Sequence, residues 1–108
     1  MNRTRSHQWI DRRSLALATA IARKIERDPV LFRVGEQNLR RWRKHIVPWP
    51  PALQEWEAIL KEGSEHALQQ LVEDSVRGRR LRQSNPFAGV LDPSERNAIL
   101  TQYESIPA

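Results

Sequence analysis

The chain has 108 residues, a formal net charge of +5 and no cysteine. This length predicts a single domain with a core of its own, and the missing cysteine excludes disulfides, cysteine-based zinc sites and thiol catalysis. No apolar run approaches the about 20 residues of a membrane span, and Arg23 and Lys24 interrupt the apolar stretch that follows the basic N-terminus. We therefore expect a soluble cytoplasmic protein without a membrane partner.

Helical spacing dominates the first half of the chain. Its first apolar positions recur at steps of seven and four, at Ile10, Leu17, Ile21 and Ile25. Asp28 is the expected N-cap of a second helix, because Pro29 follows it at the first helical position. The inner side of that helix is formed by Leu31, Val34, Leu39, Trp42 and Ile46. It is predicted to end near His45, since the prolines at 48, 50 and 51 break it.

The second half of the chain predicts three or four more helices. Their inward positions are Leu53, Trp56, Ile59 and Leu60 in one, and Ala67, Leu68, Leu71 and Val72 in the next. Gly63 is a candidate C-cap between them, and Ser75 starts a short basic helix that runs to Arg82. Asp92-Pro93-Ser94-Glu95 is the start of the last helix, with a capping box between Asp92 and Glu95. No strand alternation of useful length occurs, so we predict an all-α bundle of five or six short helices.

Three tryptophans, Trp42, Trp49 and Trp56, fall seven residues apart across the proline-rich turn. This spacing favours an aromatic core that clasps two neighbouring helices. Exposed tryptophans that stack on bases or dock on a peptide are the alternative. Trp9, close to the basic N-terminus, is expected to lie at the surface.

The residues that would support catalysis are few. The three histidines, His7, His45 and His66, are not at metal-ligand spacing, and the chain has no P-loop, no GxSxG elbow and no GxGxxG motif. Carboxylates cluster between Glu55 and Asp74, but no nucleophile or oxyanion donor accompanies them. We predict a non-enzymatic protein with no metal, no cofactor and no small-molecule substrate.

Charge is unevenly distributed along the chain. Residues 1–47 hold twelve Arg or Lys against four Asp or Glu, whereas residues 48–76 hold one lysine against six acids. Within the basic half, Arg40, Arg43 and Lys44 share one helix face, with Arg41 to the side. Such a strip can neutralise the phosphates of a nucleic acid. Alternatively, it is an ordinary charged face that pairs with the acids of residues 55–74.

A second basic cluster, at residues 77–82, leads directly into an irregular segment at residues 83–91. Its arginines are Arg77, Arg79, Arg80 and Arg82, and the apolar side chains that follow are Phe87, Val90 and Leu91. Proline and glycine keep this segment out of regular helix, so its apolar side chains must dock on the domain's own core or on a partner. Arginines beside an apolar anchor are typical of protein interfaces. We therefore predict a partner-binding site formed by Arg79, Arg80, Arg82, Phe87, Val90 and Leu91.

Three strings carry a resemblance to a known group of proteins. They are NLRRWR at residues 38–43, Glu55-Trp56 followed by Leu60, and RLRQSNPFAGVL at residues 80–91. Together they resemble a group of small bacterial proteins, some labelled heat-shock sigma-factor suppressor, which look like the antitoxin partner in two-gene toxin–antitoxin arrangements. The resemblance covers residues 29–100. It implies a class of role, and no catalytic or binding residue is carried over.

These observations lead to one leading hypothesis and two alternatives. The leading hypothesis is a single domain over residues 1–108, frayed at 1–8, that acts as an antitoxin by binding a toxin enzyme encoded beside it. The acidic stretch at residues 55–74 or the arginines that follow it would contact the toxin's active site. The first alternative is a nucleic-acid-binding regulator that acts on its own operator DNA and uses Arg40, Arg41, Arg43 and Lys44. The second is an adaptor with neither partner.

Overall fold

A computed structural model describes the backbone of residues 3–104 and the side chains of residues 8–103, and this part of the chain is helical without any strand. The helices are α1 (Arg3–Arg27), α2 (Phe32–Arg43), α3 (Pro51–Lys61), α4 (Ser64–Leu71), α5 (Val76–Arg82) and α6 (Pro93–Glu104), with a 3-10 turn (Pro29–Leu31) before α2. The prediction of a small all-α bundle is therefore confirmed. Of the predicted frayed terminus, residues 1–2 lie outside the described residues, and the backbone is helical from Arg3.

The long helix α1 is the centre of the bundle, because α4, α5 and α6 all pack against it. Its buried side chains are Ala18, Ile21, Ala22 and Ile25. They follow the predicted spacing, and small alanines between the isoleucines let neighbouring helices approach closely. The same spacing was wrong for Ile10, which is 47% exposed.

Most predicted helix boundaries have the expected capping groups. In the capping box of α6, the Glu95 amide donates to Asp92 Oδ1 at 2.8 Å and the Asp92 amide donates to Glu95 Oε1 at 2.9 Å. Ser75 Oγ accepts the Gly78 amide at the start of α5. Gly63 has a φ of 107°, a conformation that glycine adopts without strain. Asp28 makes no side-chain capping bond, and the turn that follows it is 3-10 rather than α-helical.

The tryptophans divide between core and surface. Trp56 is fully buried, and its Nε1 donates to the Leu81 carbonyl at 2.9 Å, which ties α3 to α5. Trp42 and Trp49 are partly buried and pack against the core. Trp9 is also partly buried, and its Nε1 donates to the Tyr103 carbonyl at 3.0 Å. The predicted aromatic core is thus centred on Trp56, and Trp9 is less exposed than expected.

The irregular segment at residues 83–91 lies where the sequence predicted it, between α5 and α6, but its apolar side chains point into the bundle. Phe87 is fully buried and Val90 is 2% exposed. The Phe87 ring meets Trp56 edge-on at 6.3 Å and Phe32 at 5.9 Å between ring centroids. This corrects the prediction that Phe87 and Val90 contact a partner. They fill one end of the domain's own core.

A buried asparagine on α2 holds this segment in place. Asn38 is 4% exposed, and its Nδ2 donates to the carbonyls of Pro86 and Ala88, each at 2.8 Å. Backbone carbonyls in an irregular segment receive no hydrogen bonds from the amides of a helix. Here the Asn38 side chain donates these hydrogen bonds instead. Gly35 lies one turn earlier on α2, where an added Cβ would stand 2.6 Å from the Phe87 ring. The segment is therefore part of the fold's own packing.

Candidate nucleic-acid interface

The outer face of α2 carries a row of cations. Arg33 and Arg40 on α2 and Lys44 at its C-cap are spaced by seven and four residues, and all three are exposed. At about 100° per residue they fall within about 40° of one another around the helix, and the row is about 16 Å long. Gln37 lies within the same row. We call this set, Arg33, Gln37, Arg40 and Lys44, the α2 basic row.

The cations of the α2 basic row are free of internal partners. Within the described part of the chain, no side-chain hydrogen bond or ion pair involves Arg33, Arg40 or Lys44. The two remaining predicted residues are engaged: Arg41 donates to Asn38 Oδ1 at 2.7 Å, and Arg43 donates to both carboxylate oxygens of Glu57, at 2.7 and 2.8 Å. The predicted internal pairing therefore holds for Arg43.

The fold presents this row rigidly. The opposite side of α2 carries its buried residues Gly35, Asn38 and Leu39. Since those side chains are fixed against the irregular segment and the core, the outer face cannot rotate away from solvent. Three of the basic residues, Arg40, Arg41 and Arg43, also lie in the last turn of α2, where the helix dipole favours positive charge.

An ion pair and an aromatic ring flank the row at its C-terminal end. The Arg43 guanidinium lies 5.2 Å from the centroid of the Trp49 ring, and Trp49 Nε1 donates to Glu57 Oε1 at 2.9 Å. The ring is therefore held by two partners of its own and is not free to stack on a base. This favours its structural interpretation over base stacking.

The arginines of the second basic cluster are largely paired inside the domain. Arg80 donates to Glu55 at 2.6 and 3.2 Å, which lowers the pKa of Glu55 and raises the pKa of Arg80. Arg79 lies 3.7 Å from Asp11 and 3.5 Å from Asp74. These two side chains remain partly accessible, so their contact with a partner stays a prediction, as does that of the half-buried Leu91.

Arg82 cannot contact a partner, because only 6% of its surface is exposed. Its guanidinium donates to the carbonyls of Leu71 and Glu73, at 3.2 and 2.7 Å, where α4 ends. Burial lowers the pKa of Arg82, but an arginine stays protonated in proteins and continues to donate. Its function is to satisfy carbonyls that the helix leaves without donors.

Several acids of the stretch at residues 55–74 are also engaged within the domain. Glu55 and Glu57 bind Arg80 and Arg43, and Glu62 lies 3.2 Å from His66. A carboxylate held by an arginine of its own chain is a poor mimic of a free phosphate. Among the described residues, the structure thus leaves the cations of the α2 basic row without an ion pair.

Among the described residues, no group of three histidine, aspartate or glutamate side chains could hold a metal ion. No described helix is long and apolar enough to cross a membrane. A groove of about 850 Å³ between α1 and α4 has a mixed rim of Arg23, Glu26 and Glu65.

No family model, no curated protein and no solved structure matches this chain in comparisons with known proteins.

Sequence reasoning found part of this surface. It placed Arg40 and Lys44 on one face but missed Arg33, which lies seven residues before Arg40 and outside the dense basic string. The spacing of seven was the available signal. It also missed Asn38, because nothing in a sequence marks which asparagine has buried carbonyls to bind.

Proposed function

We propose that this protein binds nucleic acid, and that the α2 basic row contacts its phosphate backbone. The observation that carries this proposal is the row of three exposed cations on one fixed helix face, none of which has an internal partner among the described residues. Exposed cations without counter-ions in the protein are those that gain most from displacing the counter-ions of a polyanion.

The dimensions of the row suit a phosphate backbone. Its length of about 16 Å corresponds to about five base-pair steps of 3.4 Å along a duplex. Arg33 and Lys44 would contact phosphates at the two ends, and Arg40 would lie between them. Contacts of this kind position a protein on nucleic acid without reading its sequence. The proposal is therefore one of backbone binding, consistent with a regulator that obtains its sequence preference from other contacts.

The salt dependence of binding tests this proposal. A fluorescein-labelled duplex DNA of about 20 base pairs and a single-stranded RNA of equal length are titrated with the protein from about 50 to 300 mM KCl. Each phosphate contact adds about 0.9 to the slope of log affinity against log salt on duplex DNA. The double variant Arg40→Gln, Lys44→Gln should bind more weakly, and its slope should fall by about 1.8.

The second basic cluster supplies a matched control. The double variant Arg79→Gln, Arg80→Gln removes the same two charges, but from residues that are already paired with carboxylates. Its slope should stay within error of the parent's. No binding by the parent at low salt, or an equal loss of slope in both double variants, would refute the proposal.

The antitoxin role implied by the resemblance is the second candidate. The predicted contact residues Phe87, Val90 and Arg82 are interior, so a toxin would have to bind through the accessible Arg79, Arg80 and Leu91 or elsewhere on the domain. The observation that favours this candidate is an open, largely apolar groove between α1 and α6. Co-expression with the product of the adjacent gene tests it: this protein should restore growth arrested by that product and co-purify with it. A neighbour that neither arrests growth nor co-purifies would reject the candidate.

A further inference from the structure

Helix α6 is fastened to α1 at both ends. At the start of α6, Lys24 Nζ donates to Glu95 Oε1 at 2.5 Å and to the Val90 carbonyl at 2.8 Å. At its end, Trp9 Nε1 donates to the Tyr103 carbonyl at 3.0 Å. Between these two attachments the helices leave an open groove of about 440 Å³. Because both ends are fixed, the groove is formed before any ligand arrives, which lowers the entropic cost of binding.

The floor of this groove is apolar. We call it the α1/α6 groove; its lining residues are Arg12, Leu15, Ala16, Thr19, Ala20, Arg23, Ile99, Gln102 and Tyr103. The apolar members are all partly exposed. The Thr19 hydroxyl donates to the Leu15 carbonyl at 2.8 Å, so it has a partner inside the helix and needs none from a ligand. Ala16 and Ala20 have short side chains on the α1 side of the groove, so the backbone of a ligand can approach α1 closely.

The two ends of the groove are positively charged. Arg12 and Arg23 are exposed, and within the described residues neither makes a hydrogen bond or an ion pair. They are eleven residues apart, which places them within about 20° on the same face and about 16 Å apart along α1. Among the described residues, no aspartate or glutamate lines the groove. A ligand that complements it is apolar along its middle and negatively charged at positions about three helical turns apart.

We propose that the α1/α6 groove binds an amphipathic helix of a partner protein, with an apolar stripe on the floor and carboxylates that pair with Arg12 and Arg23. A helix meets this description because its side chains at steps of three, four and seven residues share one face. The α2 basic row has cations at the same eleven-residue spacing but polar residues between them. A polyanion fits that row, whereas the apolar floor of the groove favours a protein. The inference does not rest on nucleic-acid binding by α2.

A pair of designed peptides tests the proposal on the full chain. Both are helical peptides of about 18 residues with the same stripe of leucine and alanine, whose side chains are the apolar anchors that would contact the groove. One carries glutamates eleven residues apart, and the other carries lysines there. Binding is measured by fluorescence anisotropy and mapped by NMR amide shifts. The glutamate peptide should bind, with shifts concentrated at Ala16, Ala20 and Ile99, and the lysine peptide should bind at least tenfold more weakly.

Charge reversal makes the test specific. The double variant Arg12→Glu, Arg23→Glu should lose the glutamate peptide and gain the lysine peptide, whereas simple unfolding would lose both. The matched control is Arg33→Glu, Lys44→Glu, which reverses two charges at the same spacing on α2 and should leave peptide binding unchanged. Because no nucleic acid is present, this result is independent of the proposed function of the α2 basic row.

Several outcomes would overturn the proposal. It would be overturned if the two peptides bound equally. It would also be overturned if the glutamate peptide did not bind at up to about 1 mM, a dissociation constant that corresponds to a free energy of about −4 kcal/mol, or if the shifts were centred on Leu68 and Val72 of the α1/α4 groove. Protection of Ala16 in a dimer that forms at higher protein concentration would also overturn it, since the occupant would then be a second copy. Binding of anionic lipid vesicles that is lost in the Arg12→Glu, Arg23→Glu variant would assign the groove to a membrane surface instead.

Discussion

Two arginine-rich stretches of this chain look alike in the sequence and differ in the fold. The first, at residues 40–44, lies on the solvent face of α2, and Arg40 and Lys44 have no internal partner among the described residues. The second, at residues 77–82, is bound to carboxylates and to backbone carbonyls of its own domain. The difference shows that the function of a basic stretch cannot be inferred from its residues alone. It depends on acidic residues that are remote in the sequence and near in space.

The physical reason for the difference lies in the position of the two helices. Helix α2 packs with one face only, so its opposite face stays in water. Helix α5 is a short helix between α1 and α4, and one of its arginines must turn inward. There Arg82 meets the carbonyls at the end of α4, which have no donors of their own. The residues that follow α5 then close the core.

The largest expected effect tests whether the segment after α5 belongs to the core. Phe87→Ala removes a fully buried ring that contacts Trp56 and Phe32. Deleting such a ring costs about 3–5 kcal/mol of the free energy of unfolding, measured by urea denaturation. Val47→Ala is the control, since Val47 is 85% exposed and its loss should leave stability almost unchanged. A Phe87→Ala variant of parental stability would show that the segment after α5 does not stabilise the core, and it would restore Phe87 as a candidate anchor for a partner.

An intermediate effect is expected where α2 holds the segment. Asn38→Ala removes the donors to the carbonyls of Pro86 and Ala88 and leaves them without that partner. An unsatisfied buried polar group costs about 1–3 kcal/mol, so the midpoint of urea denaturation should fall. Asn97→Ala on the exposed face of α6 is the matched control and should have little effect.

Amide exchange in the Asn38→Ala variant tests whether α2 and the irregular segment are packed as one unit. If the segment and α2 are packed as one unit, amide exchange should increase at Phe87 and Val90 as well as at Leu39. Faster exchange confined to residues 86–91 would mean that α2 presents its basic row independently of the segment.

The helices and their caps could be predicted from the sequence because their causes are local. The capping box of Asp92 and Glu95 and the serine cap of α5 depend on residues within three positions. The burial of Phe87 could not be predicted in this way. The sequence required a docking place for its ring, but the place is formed by Gly35 and Trp56, which lie 52 and 31 residues earlier in the chain.

The candidate site was predictable to a similar extent. The row on α2 follows from helical spacing, so Arg40 and Lys44 could be assigned to one face. Their freedom from internal partners could not, because the competing acids Glu55 and Glu57 are taken by Arg80 and Arg43 only in the folded domain. The α1/α6 groove could not be predicted from the sequence either, because the hydrogen bond from Trp9 to the Tyr103 carbonyl joins residues 94 positions apart.

The smallest expected effect concerns the ion pair that closes the segment against α1. The pKa of Glu95 is lowered chiefly by its hydrogen bond from Lys24, with the Asp92 amide as the second cause. A carboxylate whose pKa is lower in the folded than in the unfolded state stabilises the fold above its unfolded pKa of about 4.3, and this stabilisation is lost as pH falls through the folded value. The free energy of unfolding should therefore decrease from about pH 5 downwards.

Glu95→Gln separates the charge of this residue from its capping function. Glutamine retains the capping box but does not titrate, so the variant should be slightly less stable near neutral pH and should lose less stability on acidification. Glu55→Gln is the parallel variant for the second cluster, where the hydrogen bond from Arg80 lowers the pKa of Glu55. Each should remove its own part of the acid sensitivity. If Glu95→Gln leaves the pH profile unchanged, Lys24 holds the segment through the Val90 carbonyl alone, and its attachment to α1 does not depend on charge.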